Sequence, residues 1–102
     1  MYLIQVLLPL YDNQRRPLPK NHYLRVRDEL TERYGGLTAY SRAPAEGLWK
    51  RSAHTTSHDE IVIFEVMTAT LDKAWWREYR RQLELRFRQE LIVIRAQRIE
   101  ML

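Results

Sequence analysis

Strand-like segments that are apolar on both faces constrain the fold of this chain more than any other feature. Residues 2–11 place apolar side chains on one strand face and, except at Gln5, on the other face as well. A strand with one face in water alternates apolar and polar residues, so this pattern predicts a strand that is covered on both sides. Three later segments, residues 37–42, 60–68 and 91–99, also have the composition of strands.

Two segments have the periodicity of amphipathic helices. The first covers about residues 20–34 and ends at Gly35-Gly36, which supplies a residue for a left-handed cap. The second begins after Thr70 or Asp72, and its periodicity favours core packing of its aromatic stripe over a stacking platform for bases. That stripe consists of Trp75, Trp76, Tyr79, Leu83 and Phe87. The outer face of the first helix is acidic and that of the second is basic, which predicts attraction along their shared margin.

The predicted order strand, helix, strand, strand, helix, strand describes a single α+β domain that covers residues 1–102. Short connections and right-handed crossovers favour a four-stranded antiparallel sheet in the order 4-1-3-2, with both helices on one face. This ferredoxin-like arrangement leaves the other sheet face bare. Because the strands are apolar there too, a second copy is expected to cover that face and to form a dimeric α+β barrel.

Composition excludes several kinds of site and compartment. The chain has no cysteine, which excludes disulfides, thiol nucleophiles and cysteine-based zinc sites. No segment approaches the roughly 20 apolar residues that cross a bilayer, and residues 1–10 lack the basic start and the cleavage site of a secretory signal. We therefore expect a soluble, cytoplasmic protein without a membrane partner.

The sequence also argues against nucleic acids, metals and cofactors. The net charge is a modest +4, and the bare sheet face lacks the central aromatic pair that RNA-recognition folds use. His54 and His58 are four residues apart in a loop-like segment that has no evident third ligand. Nucleophile elbows, phosphate-binding glycine loops and dinucleotide fingerprints do not occur in the sequence. We expect neither a metal nor a cofactor, and nucleic acid is not an expected partner.

One polar cluster interrupts the apolar face that the helices do not cover. Alternation places Gln5, Glu65 and Arg95 on this face of the first, third and fourth strands. In the 4-1-3-2 order the first strand is central, so Gln5 is expected between Glu65 and Arg95. The cluster is interpreted either as the floor of a ligand pocket or as a buried, mutually satisfied group that sets the register of a dimer.

The expected function is a small homodimeric barrel that binds or transforms a small organic molecule on this face. Tyr40, Arg42 and Trp49 flank a predicted turn and are candidates either for the pocket rim or for an arm that contacts a partner subunit. The ligand-binding candidates are therefore Gln5, Tyr40, Arg42, Trp49, Glu65 and Arg95. Glu65, as base or acceptor, and Arg95, as the binder of an anionic group, are also the catalytic candidates. The alternative is a non-catalytic structural or interaction module that self-associates through the bare face, and the sequence leaves open whether the protein is an enzyme.

Three stretches carry a resemblance to a known group of proteins. They are LTERYGGLTAY at residues 30–40, EGLW at residues 46–49 and AWWREYR at residues 74–80. With these stretches and its element order, the chain resembles the dimeric α+β barrel superfamily, and within it a family of small bacterial proteins with no known role. The resemblance implies ferredoxin-like subunits that pair sheet face to sheet face. The superfamily includes cofactor-free monooxygenases and muconolactone isomerases, but no catalytic motif transfers to residues of this chain.

Overall fold

Within the part of the chain that the structure describes, six elements follow one another in the predicted order. The computed structural model describes residues 1–42 and 61–102, without the side chains of residues 40–42. The elements are β1 (Tyr2–Pro9), α1 (Lys20–Tyr34), β2 (Thr38–Arg42), β3 (Ile61–Thr68), α2 (Lys73–Arg86) and β4 (Val93–Arg98). The predicted bounds of α1 agree with the structure, and the strands are slightly shorter than predicted.

The described strands form one antiparallel sheet in the order β2-β3-β1-β4, which is the predicted order counted from the other edge. The central strand β1 places Gln5 opposite Glu65 of β3 and opposite Arg95 of β4. Strand β2 continues this row, because Thr38 lies opposite Glu65. The strand order and the two helices are compatible with a ferredoxin-like fold.

The core lies between the sheet and the two helices. Alternate residues of β1 and β3 are buried on this side, as the apolar pattern of the sequence predicts. The buried core residues are Ile4, Val6, Leu8, Val26, Leu30, Phe64, Val66, Trp76, Tyr79, Leu83, Phe87 and Ile92. Removal of this apolar surface from water stabilises the fold by about 25 cal/mol per Å².

The helices end and begin where the sequence signals predict. Helix α1 ends at Gly35, which has a left-handed φ of 77° and donates its backbone N–H to the Thr31 carbonyl at 2.7 Å. Helix α2 begins after Asp72, whose Oδ1 accepts a hydrogen bond from the Trp75 backbone N–H at 3.1 Å. Neither described helix has the length and apolar character needed to cross a membrane.

The adjacent tryptophans of α2 pack as the helical periodicity predicts. Trp76 is buried, and its ring stacks on Tyr34 with centroids 5.5 Å apart. Trp75 is half-buried, packs against the core, and lies 4.0 Å from the guanidinium carbon of Arg33 in a cation–π contact. The interpretation of these rings as core residues is confirmed for Trp76, while Trp75 lies at the core margin.

Candidate functional site

A row of polar residues crosses the described sheet on the face that the helices leave uncovered. The strand register places Thr38, Glu65, Gln5 and Arg95 opposite one another on β2, β3, β1 and β4. Directly opposite residues of antiparallel strands project to the same face, and neighbouring strands lie about 4.8 Å apart. We call these four residues the polar row. Thr38 was not predicted as a member of this row. The sequence did contain a signal for it, because Thr38 alternates with Tyr40 and Arg42 and therefore lies on the same strand face.

Gln5 links the two charged residues of the polar row. Its Nε2 donates to Glu65 Oε1 at 2.6 Å, and its Oε1 accepts a hydrogen bond from Arg95 Nε at 2.7 Å. An amide suits this position, because an ionised carboxylate only accepts hydrogen bonds and a guanidinium only donates them. The predicted position of Gln5 between Glu65 and Arg95 is thus confirmed, and the two charges determine which way its amide points.

The polar row is partly open to solvent in the single chain. Gln5 and Glu65 are half-buried, whereas Thr38 and Arg95 are exposed. Full burial of the row, as the dimer interpretation requires, therefore depends on a second copy and stays a prediction.

Apolar side chains flank the polar row on both sides along the strands. Leu3 and Met67 pair on one side, and Leu7 and Val93 pair on the other. Met67 is 51% exposed and Val93 is 43% exposed, so both leave apolar surface in water. Ile63, opposite Leu7 on β3, is instead fully buried. On the helix-free face, solvent therefore reaches Met67 and Val93 but does not reach Ile63.

A shallow cavity lies at the β2 side of the polar row. Its volume is about 220 Å³, and Glu65, Thr38, Leu3 and Met67 are among the residues that line it. The cavity therefore combines one carboxylate and two hydroxyl-bearing residues, Thr38 and Tyr34, with apolar walls. Ligand sites commonly have this composition, in which apolar surface supplies affinity and a few polar groups supply orientation.

The polar row provides complementary chemical groups for one ligand. Glu65 supplies acceptor oxygens, while Arg95 uses one N–H in its contact with Gln5 and a guanidinium carries five. A charge-assisted hydrogen bond from the remaining donors of Arg95 suits a carboxylate or another organic anion. A hydroxyl that donates to Glu65 would also be placed for proton transfer to this carboxylate.

The predicted rim residues fall outside the part of the chain whose side chains are described. The backbones of Tyr40 and Arg42 lie on β2, opposite Ile63 and Ile61. Trp49 lies outside the described residues. Contact of these three residues with a ligand stays a prediction.

Among residues 1–42 and 61–102, no three His, Cys, Asp or Glu side chains are grouped to hold a metal ion. His54 and His58 lie outside the described residues. The half-buried ring of His22 lies edge-on to Phe87 at 5.4 Å, and its partial burial, together with the charge of Arg86, lowers its pKa. In the described structure His22 thus packs as an aromatic side chain.

A second cavity, of about 190 Å³, lies on the helix-covered side of the sheet, between α2 and β4. Lys73, Arg77 and Arg80 line it together with Trp76. The indole Nε1 of Trp76 is buried and has no hydrogen-bond partner among the described residues. An unmatched buried N–H costs about 1–3 kcal/mol. This cavity was not predicted, although the i, i+4, i+7 spacing of the three basic residues indicated a shared helix face.

The described antiparallel sheet and its two helices define a small α+β protein with a strand order compatible with the ferredoxin-like fold. Comparison of the chain with protein-family models, curated proteins and solved structures finds no match. Membership of the dimeric α+β barrel superfamily stays a prediction from the sequence.

Proposed function

We propose that the protein is a homodimeric α+β barrel that binds a small organic molecule on its helix-free sheet face. The observation that carries this proposal is the hydrogen-bonded chain from Arg95 through Gln5 to Glu65, set among apolar side chains. Placing charges in apolar surroundings costs free energy unless they are paired or bound to a ligand. Such a cluster on an otherwise apolar face is therefore typical of a binding surface.

The order of charges in the polar row favours a second copy as the cover of this face. The row runs from the negative Glu65 on β3 to the positive Arg95 on β4, with Gln5 between them. Two copies can pack face to face about a twofold axis that runs parallel to the strands and passes above Gln5. This axis reverses the left-to-right order of the polar row in the second copy. Each Arg95 then faces the Glu65 of the other copy, so the surface is self-complementary.

The exposed apolar residues beside the polar row add to the stability of such a dimer. Met67 and Val93 are about half exposed in the single chain, and both lie on the face that the second copy would cover. Complete burial of a fully exposed apolar side chain of this size is worth about 1.5–3 kcal/mol, so covering the half that is still exposed contributes about half of that. A twofold interface buries two copies of each residue.

The same groups indicate the class of ligand. Two strand spacings separate Glu65 from Arg95, so their Cα atoms lie about 10 Å apart. A ligand that reaches both needs an anionic group for Arg95, a donor for Glu65 and an apolar body against Leu3 or Met67. A hydroxylated aromatic carboxylate such as 4-hydroxybenzoate has these three parts. If the molecule is transformed, Glu65 is the base and Arg95 stabilises the anion.

Light scattering on a size-exclusion column, at low micromolar concentration, tests the dimer. We expect the wild type to elute with the mass of two chains and the Val93→Lys variant to elute as a monomer. Leu85→Lys is the matched control, because Leu85 is an exposed apolar residue on α2, away from the sheet face. A monomeric wild type, or loss of the dimer in both variants, contradicts the barrel.

Titration of ¹⁵N-labelled protein with 4-hydroxybenzoate tests the ligand site. Saturable shifts are expected for the backbone amides of Gln5 and Glu65, and Arg95→Met should weaken binding about tenfold or more. Arg27→Met is the control, because Arg27 is an exposed arginine of α1 on the helix-covered side. If nothing saturates while the dimer persists, the function reduces to the alternative, a non-catalytic self-association module.

A further inference from the structure

The cavity between α2 and β4 lies on the side of the sheet opposite the helix-free face. Its floor is apolar and includes Ile4 of β1, Ile94 of β4 and Leu71. Its volume of about 190 Å³ corresponds to that of about six water molecules. A small molecule with a similar number of non-hydrogen atoms fits this space. Arg95, on the edge strand, borders both this cavity and the polar row.

The helix wall of the cavity is basic. Lys73, Arg77 and Arg80 occupy one face of α2. Lys73 lies in the first turn, where the helix dipole adds partial positive charge. Arg80 forms an ion pair with Glu84 at 3.8 Å, whereas Lys73 and Arg77 form none within the described part of the chain. None of the described residues that line the cavity is acidic. The cavity therefore favours a negatively charged occupant.

Trp76 indicates a ligand independently of the charges. Its side chain is 5% exposed and lines the cavity, and its buried Nε1–H has no hydrogen-bond partner among the described residues. Buried N–H groups are paired in the large majority of cases, with protein or with an ordered guest such as water. Stacking on Tyr34 and an edge contact with Tyr79 restrict rotation of the ring. Because Nε1 itself is buried from a water-sized probe, an acceptor atom in the cavity reaches this N–H only after a small local adjustment of the ring or of the residues around it.

We infer that this cavity binds a small organic carboxylate. The apolar body of the ligand lies on the floor formed by Ile4 and Ile94, and its carboxylate lies against Arg77 and Lys73. A carboxylate oxygen accepts the hydrogen bond that Trp76 Nε1–H offers. This site differs in position from the one proposed on the helix-free face, and neither site requires the other.

The indole N–H signals of ¹⁵N-labelled protein give a direct readout. The chain has three tryptophans, and the Trp76→Phe variant assigns the Trp76 signal by removing it. Titration with hexanoate at constant ionic strength is expected to shift this signal saturably, with a dissociation constant on the order of 1 mM. Hexanol lacks the charge and inorganic phosphate lacks the apolar body, so each should bind at least about tenfold more weakly.

Two arginine variants of α2 test the assigned contact. Arg77→Gln is expected to weaken hexanoate binding about tenfold or more, because it removes a charge-assisted hydrogen bond. Arg81→Gln makes the same charge change on the same helix, at a residue paired with Glu78 and not part of the cavity lining, and should leave the affinity unchanged. Far-ultraviolet circular dichroism verifies that both variants are folded.

Three results would each overturn the inference. The first is no saturable shift of the Trp76 signal up to roughly 20 mM hexanoate. The second is equal binding of hexanol and hexanoate, which would mean an apolar cavity without an anion site. The third is equal weakening by Arg77→Gln and Arg81→Gln, which would mean attraction by net charge alone.

Discussion

Arg86 of α2 donates two hydrogen bonds to the carboxylate of Glu29 on α1, at 2.7 and 2.9 Å. The hydroxyl of Tyr79 donates a third hydrogen bond to the same carboxylate, at 2.8 Å. The Arg86 side chain is only 9% exposed, whereas that of Glu29 is 36% exposed. This contact joins the acidic α1 to the basic α2 at their margin, and thus confirms the attraction that the sequence predicts.

Arg86→Met is expected to lower the free energy of unfolding by about 1–3 kcal/mol. Among the described residues, it leaves the partly buried carboxylate of Glu29 with the hydroxyl of Tyr79 and the more distant Arg25, at 4.0 Å, as partners. Urea denaturation at pH 7 measures this change. A double-mutant cycle with Glu29→Gln should give a coupling of about 1 kcal/mol or more. Arg81→Met removes an exposed arginine paired with Glu78 on the same helix and should have no measurable effect. Equal destabilisation by Arg86→Met and Arg81→Met would mean that the contact between Arg86 and Glu29 contributes no more to the free energy of unfolding than an exposed ion pair.

The Glu29 contact also predicts a specific acid sensitivity. Partial burial raises the pKa of Glu29, but the hydrogen bonds from Arg86 and Tyr79 outweigh this effect and hold the pKa below its ordinary value of 4.5. A lowered carboxyl pKa stabilises the fold fully above pH 4.5, and this contribution is lost as the pH falls through the folded-state pKa. The stability difference between the wild type and Glu29→Gln should therefore be constant near neutrality and shrink below about pH 4.5.

Urea denaturation from pH 7 down to pH 3 measures this difference. Partial burial and nearby arginines lower the pKa of His22, so its own stabilising contribution is lost as the pH falls below its ordinary value of 6.5. Because both proteins contain His22, its effect cancels in the comparison. A difference that stays constant down to pH 3 would show that Glu29 has the same pKa in the folded and unfolded chain.

Gly35 and Gly36 provide a matched pair for the left-handed cap of α1. A Cβ added at either glycine would meet no atom within 4 Å, but only Gly35 has a positive φ. Gly35→Ala is therefore expected to cost about 1–2 kcal/mol through backbone conformation alone, while Gly36→Ala should be nearly neutral or slightly stabilising. Thermal and urea denaturation of the two variants measure the contrast. If Gly36→Ala lowers the free energy of unfolding as much as Gly35→Ala does, the positive φ of Gly35 is not the cause of the loss.

The effect of Arg95→Met on stability should depend on protein concentration. In the single chain Arg95 is exposed, so its removal is expected to cost less than about 1 kcal/mol at concentrations where the protein is monomeric. Where a second copy covers the polar row, the same change removes the guanidinium that faces Glu65 across the interface and should cost about 3 kcal/mol or more. Denaturation at two concentrations about a hundredfold apart measures the contrast. An identical cost at both would contradict burial of the polar row by a second copy.

Local periodicity accounts for the parts of the fold that were predicted from the sequence. The period of two in residues 2–11 and 60–68 identifies both the strands and their core faces, and the caps at Gly35 and Asp72 mark helix ends. The position of Gln5 between Glu65 and Arg95 followed from the same alternation, once the strand order was known. These features need only short-range geometry, because a strand repeats every two residues and a helix about every 3.6.

Tertiary structure alone decided which distant groups meet. The pairing of Arg86 with Glu29, 57 residues apart, depends on how closely the two helices pack on the sheet. The cavity beside Trp76 likewise lies between α2 and β4, and its presence cannot be predicted from the sequence of either segment alone. Periodicity assigns a residue to a face of its own element, but distances between elements arise only when all side chains pack together.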